Sequence, residues 1–88
     1  MDRNTITAER LLAVYTQRLA MNDAGVTVWR DDVRTAVERL VEKLRAIAPG
    51  EAVRIVEDST GEPCFRFVMV ATGEVLGRIG QAAGPGLN

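Results

Sequence analysis

Residues 52–79 read AVRIVEDSTGEPCFRFVMVATGEVLGRI, and their alternation decides the fold. Val53 and Ile55 alternate with Arg54 and Val56. Phe65, Phe67 and Met69 alternate with Cys64, Arg66, Val68 and Val70, and Val75, Gly77 and Ile79 with Leu76 and Arg78. A period of two marks half-buried strands, here over about 52–57, 63–70 and 75–79. Ser59-Thr60-Gly61 and Ala71-Thr72-Gly73 separate them, each ending in Gly and followed by Glu. A three-residue hairpin loop commonly closes with a left-handed residue, where glycine fits without steric cost. Two such loops predict a meander in which Ile55 faces Phe65, Val53 faces Phe67, Met69 faces Val75 and Phe65 faces Ile79. These residues share one face, the expected core side.

The same register places Arg54, Arg66 and Arg78 side by side on the opposite face, one per strand. Like charges directly opposite are destabilising unless screened, so water, acidic neighbours on that face, a bound anion or an acidic partner is expected there. Val56, Cys64, Val68, Val70 and Leu76 complete this face. Solvated arginines whose stems cover apolar neighbours account for the pattern without any ligand. A protein contact or a small-anion site uses the same residues. Arg54, Arg66, Arg78, Leu76 and Val68 are the candidate binding residues.

Outward from the strands, the chain divides near Pro49-Gly50. Upstream of it, Val33, Val37, Leu40, Val41, Leu44 and Ile47 form one stripe at helical spacing, with Arg34, Glu38, Arg39, Glu42, Lys43 and Arg45 opposite. Proline disfavours helix in the residue before it, so Pro49 closes this helix. Its start is open: Asp31, Asp32 or Thr27 can cap it, or Val26-Thr27-Val28 can form an extended entry. An earlier helix begins after a cap at Thr5 or Thr7, with Glu9 in its first turn. It carries Ala8, Leu11, Leu12, Tyr15 and Leu19 on one face and stops at Asn22-Asp23-Ala24-Gly25. The expected architecture is α+β, a two-layer sandwich of order ααβββ, with two helices covering one face of a three-stranded antiparallel meander. One domain is expected over 1–80, with a disordered tail over 81–88 rich in glycine.

Composition narrows the function. The chain has 88 residues, a net charge of −1, no His and one Cys. Without histidine the commonest general base and metal ligand is missing. A single Cys64 forms no intrachain disulfide and no cysteine metal cluster, and fits a reducing, cytoplasmic compartment. The charge balance gives no nucleic-acid footprint, and no apolar run is long enough to span a membrane. Lys43 is the only lysine among 11 basic residues, so arginine carries the positive charge. Cys64 reads as a small strand residue rather than a nucleophile, and Asp31-Asp32 as a helix start rather than a carboxylate pair. Asp58 and Glu62 flank a turn, as turn residues or as a weak cation site. Trp29 is a core residue or a partner anchor, and the stripe of the second helix packs on its own sheet or on another chain. No catalytic residue, metal or cofactor is indicated.

Val41-Glu42-Lys43-Leu44, Val53 to Gly61 and Thr72-Gly73-Glu74-Val75-Leu76-Gly77-Arg78-Ile79 follow one another in an order that resembles the FlaG family of bacterial flagellar proteins. The resemblance spans residues 33–79. The family has Asp before its second turn and Pro after its last strand, where this chain has Val70-Ala71 and Gly80-Gln81. The resemblance implies an accessory, non-catalytic role in the flagellar filament or its regulation and assigns no site residues.

Overall fold

The computed structural model describes residues 4–61 and 63–80. The elements run β1 (Thr5–Thr7), α1 (Ala8–Asp23), α2 (Asp31–Arg45), β2 (Ala52–Asp58), β3 (Cys64–Met69) and β4 (Val75–Gly80). The four strands form one antiparallel sheet in the order β1-β2-β3-β4. The α+β class and the three-stranded meander are as expected; β1 is a fourth strand at its edge. The expected tail over 81–88 lies outside the described residues.

β1 explains why the threonines before α1 have two roles. Thr5 pairs with Arg54 and Thr7 with Ala52, while Ile6 points inward and is buried. Thr7 is also the N-cap of α1: its hydroxyl accepts from the Arg10 amide at 3.3 Å. The preceding donors are taken by the 49–51 turn, Ala8 N–H to the Glu51 carbonyl at 2.8 Å and Glu9 N–H to the Pro49 carbonyl at 3.1 Å. The first-turn amides that a helix ordinarily leaves unpaired therefore tie α1 to the entrance of β2. Thr7→Ala is expected to cost about 1 kcal/mol, read as a lower urea midpoint at unchanged slope.

At its other end α1 closes with Gly25 at φ +77°, Val26 N–H bonding the Met21 carbonyl and Gly25 N–H bonding that of Asn22. This double bond across a left-handed glycine satisfies the last carbonyls of a helix. The extended entry over 26–28 does not form a strand, and Val28 is 89% exposed. α2 starts at Asp31 with Arg30 as its N-cap; neither Asp31, Asp32 nor Thr27 caps it. Both aspartates lie in its first turn, where they oppose the positive end of the helix dipole, and Lys43 and Arg45 lie in its last. Arg34 of α2 reaches back to α1, donating to the Asn22 side chain and pairing with Asp23 at 2.8 Å.

Val33, Val37, Leu40, Val41 and Leu44 of α2 pack with Leu11 and Tyr15 of α1 on the inner sheet residues Ile6, Val53, Ile55, Phe67, Met69 and Ile79. Trp29, Ile47 and Phe65 are half-buried and pack against this core. Tyr15 meets the Phe67 ring edge-on, centroids 5.8 Å apart at 88°, the arrangement aromatic quadrupoles favour.

The β2–β3 register differs from the expected one by two residues. Ile55 pairs with Phe67 and Val53 with Met69, not with Phe65 and Phe67. The cause is the connection, which runs from 59 to 63. Asp58 Oδ1 accepts from the Thr60 amide at 3.1 Å and its hydroxyl at 2.5 Å, and Gly61 takes φ +83°. Pro63 has no N–H to give a ladder, and pairing resumes at Cys64, opposite Asp58. A shift of two leaves every side chain on its expected face.

The β3–β4 pairing keeps Phe65 with Ile79 and Arg66 with Arg78, as expected, but a bulge follows. Val68 pairs with Val75, so Leu76 is the extra residue and Met69 does not face Val75. The bulge exchanges the two apolar neighbours: Leu76 is 3% exposed and Val75 is 42% exposed. Val75 therefore leaves the expected core, and Leu76 leaves the candidate site to join it.

Candidate functional site: the open sheet face

The helices cover one face of the sheet. The other carries Thr5, Thr7, Arg54, Val56, Asp58, Cys64, Arg66, Val68, Val75 and Arg78, as the strand pairing requires. Of the candidate residues, Arg54, Arg66, Arg78 and Val68 lie on this face and Leu76 does not. The arginines do not form the expected row of three. Arg66 and Arg78 are direct neighbours, but Arg54 pairs with Val68 and Thr5, one step diagonal from Arg66.

Asp58 screens the arginine pair. Its Oδ2 lies 3.8 Å from Arg66 Nε and 3.7 Å from an Arg78 guanidinium nitrogen. Both separations are ion pairs in range but too long for hydrogen bonds. The closer partners of this carboxylate are the Thr60 hydroxyl and amide. Arg66 Nε is buried and has no hydrogen-bond partner among the described residues. Its side chain as a whole is 35% exposed, and that of Arg78 is 60% exposed. The site is thus a pair of adjacent guanidinium groups, partly neutralised from one side, with one donor unmatched. Half-buried Val56 lies beside Arg66 on β2 and half-buried Val68 follows it along β3, with the exposed Val75 next to Val68 on β4.

The hydrogen bonds from the Thr60 hydroxyl and amide hold the Asp58 carboxyl below its ordinary range; burial opposes them, and Arg66 and Arg78 add to them. A lowered folded value means that the unfolded chain binds the proton more readily. The Asp58 contribution is therefore present above the ordinary aspartate value of about 4 and is lost as pH falls through the lower folded value. Asp58→Asn keeps the turn acceptor and removes the charge. Its urea midpoint is expected to lie below wild type at pH 7 and to converge with it in acid; a gap unchanged at low pH refutes this assignment.

The cation site considered at Asp58 and Glu62 has no support from Asp58, which serves the turn and the arginines; Glu62 lies outside the described residues. No group of His, Cys, Asp and Glu suited to a metal occurs among the described residues, and none of their helices is long and apolar enough to cross a membrane. Cys64 is a half-buried free thiol. The role of Asp58 was not legible in the sequence, because a hairpin closed two residues too tightly leaves it facing Glu62 rather than the arginines. Comparison of the chain with protein-family models, curated proteins and solved structures finds no match.

Proposed function

We propose that this is a small non-enzymatic domain that acts by protein–protein interaction, receiving carboxylates of an acidic partner on its open sheet face. The observation that carries this reading is the adjacency of Arg66 and Arg78 on the open face, 35% and 60% exposed and only partly neutralised by Asp58. A guanidinium pair offers planar forks that match carboxylate oxygens, and Val56, Val68 and Val75 offer apolar contact next to it. Pairing of this face with its own copy is disfavoured, because it brings arginine against arginine. The resemblance to FlaG proteins supports a flagellum-associated role, and the single Cys64 supports a cytoplasmic location; a source organism without flagellar genes overturns the flagellar reading. The two adjacent guanidinium groups also favour a second reading, a small-anion site at the same arginines.

Titration of the wild type and an Arg66→Gln/Arg78→Gln variant separates the two readings. A Glu-rich peptide is expected to bind the wild type and to lose at least about tenfold in affinity, about 1.4 kcal/mol, with the variant. Inorganic phosphate saturating the same arginines as tightly as the peptide supports the small-anion site. Binding indifferent to both substitutions ends the reading of this face. Light scattering is expected to show a monomer.

A further inference from the structure

The sheet has a free edge at β4, and the register fixes which backbone groups line it. Met69 N–H bonds the Glu74 carbonyl, and Val70 N–H bonds the Ala52 carbonyl. The odd-numbered residues of β3 therefore turn their amides toward β4 and the even-numbered ones toward β2. Phe67 pairs with Gly77 and Phe65 with Ile79, so Gly77 and Ile79 spend their backbone groups on β3. The N–H and C=O of Arg78 and Gly80 face away from the sheet, and among the described residues no backbone hydrogen bond reaches them from that side. The bulge lies at the start of β4, leaving 77–80 regular.

A cavity of about 230 Å³ adjoins the end of this strand, where the first turns of α2 pass β3 and β4. Val33, Ala36, Pro63 and Cys64 give it an apolar wall, and Arg30, Asp32, Arg78 and Gly80 line it as well, with Asp32 favouring an apolar rather than an acidic side chain inside it. An edge strand with unpaired amides beside a helix-walled cavity is the arrangement that accepts an extended peptide. Main-chain bonds then give affinity, and alternate side chains give specificity.

We propose that the β4 edge accepts an extended acidic segment of a partner protein as a fifth strand of the sheet. This rests on the reading of the open face and names the form of its partner. In such a strand, the side chain opposite Arg78 continues the row Val56–Arg66–Arg78 across the open face. A carboxylate there forms a cross-strand pair with Arg78, whereas the alternate side chains turn toward α2, where the cavity takes a small apolar group. Charge selects this occupant over a second copy, because two β4 edges meeting on a two-fold axis at Arg78 set the two arginines against each other.

The test uses the full chain and a synthetic peptide of about eight alternating Glu and Val residues. Amide hydrogen exchange at Arg78 and Gly80 is expected to slow at least about tenfold on binding, and N-methylation of the peptide at alternate residues to weaken binding at least about tenfold. Binding that requires Arg66 and Arg78 but leaves those two amides unprotected overturns the fifth strand while preserving the reading of the face. Protection that survives Arg66→Gln/Arg78→Gln with full affinity overturns the reading of the face instead. Protection that rises with protein concentration without peptide assigns the edge to a second copy, and the absence of saturable binding overturns both proposals.

Discussion

Phe67→Ala is expected to leave the domain close to unfolded at room temperature. Phe67 is fully buried at the centre of β3, between Ile55 on β2 and Gly77 on β4, with the Tyr15 ring against its own. Removing a buried phenyl ring costs about 3–5 kcal/mol, because the lost transfer energy adds to that of the cavity left behind. At roughly 0.05–0.15 kcal/mol per residue, a chain of 88 residues has about 4–13 kcal/mol in total. Gly77 supplies no side chain to close the gap from β4, and Tyr15, held by α1, cannot follow the retreating surface. Urea denaturation is expected to show a sharply lower midpoint with little native baseline. Phe67→Leu keeps most of the volume and is expected to lose about 1–2 kcal/mol. Equal losses in the two variants exclude cavity formation as the cause.

The face of each inner residue was legible in the alternation, and its partner was not. Ile55 and Phe67 point inward under either register, because a shift of two residues preserves the pleat. Whether Ile55 meets Phe65 or Phe67 depends on how the Asp58–Pro63 connection folds. The Asp58 turn with Thr60, and the missing amide of Pro63, lengthen that loop. The bulge at Leu76 was hidden for another reason. Val75 and Leu76 are both apolar, so alternation has no preference for which turns inward. β1 has three residues and shares Thr7 with the cap of α1, so the capping signal masks the strand signal. For the site, the Ala71–Gly73 turn makes the Arg66–Arg78 pairing readable, since that hairpin holds its register beyond the bulge. The displacement of Arg54 and the role of Asp58 both follow from the longer first loop. The unmatched Nε of Arg66 depends on distances of a few tenths of an ångström, which no pattern of residue types encodes.

The second large effect is expected in alkali and is carried by Tyr15. Its ring is fully buried among α1, α2 and β3. Burial pushes the phenol well above its ordinary value, and the Arg18 guanidinium, 5.6 Å from the ring centre, opposes this only in part. A folded value raised above the unfolded one means that the native state retains a proton the unfolded chain releases. The contribution of Tyr15 is complete below about pH 10 and is lost as pH rises toward the folded value, at about 1.4 kcal/mol per pH unit. Tyr15 is the only tyrosine, so tyrosinate absorbance near 295 nm reports this residue alone. That absorbance is expected to stay absent in the folded protein just above pH 10 and to appear together with the change in Trp29 fluorescence as the domain unfolds. Tyr15→Phe keeps the ring against Phe67 and is expected to flatten the loss of stability with pH while lowering the midpoint at pH 7. Tyrosinate forming near pH 10 without unfolding shows that solvent reaches the hydroxyl, which is incompatible with a ring sealed between α1 and the sheet.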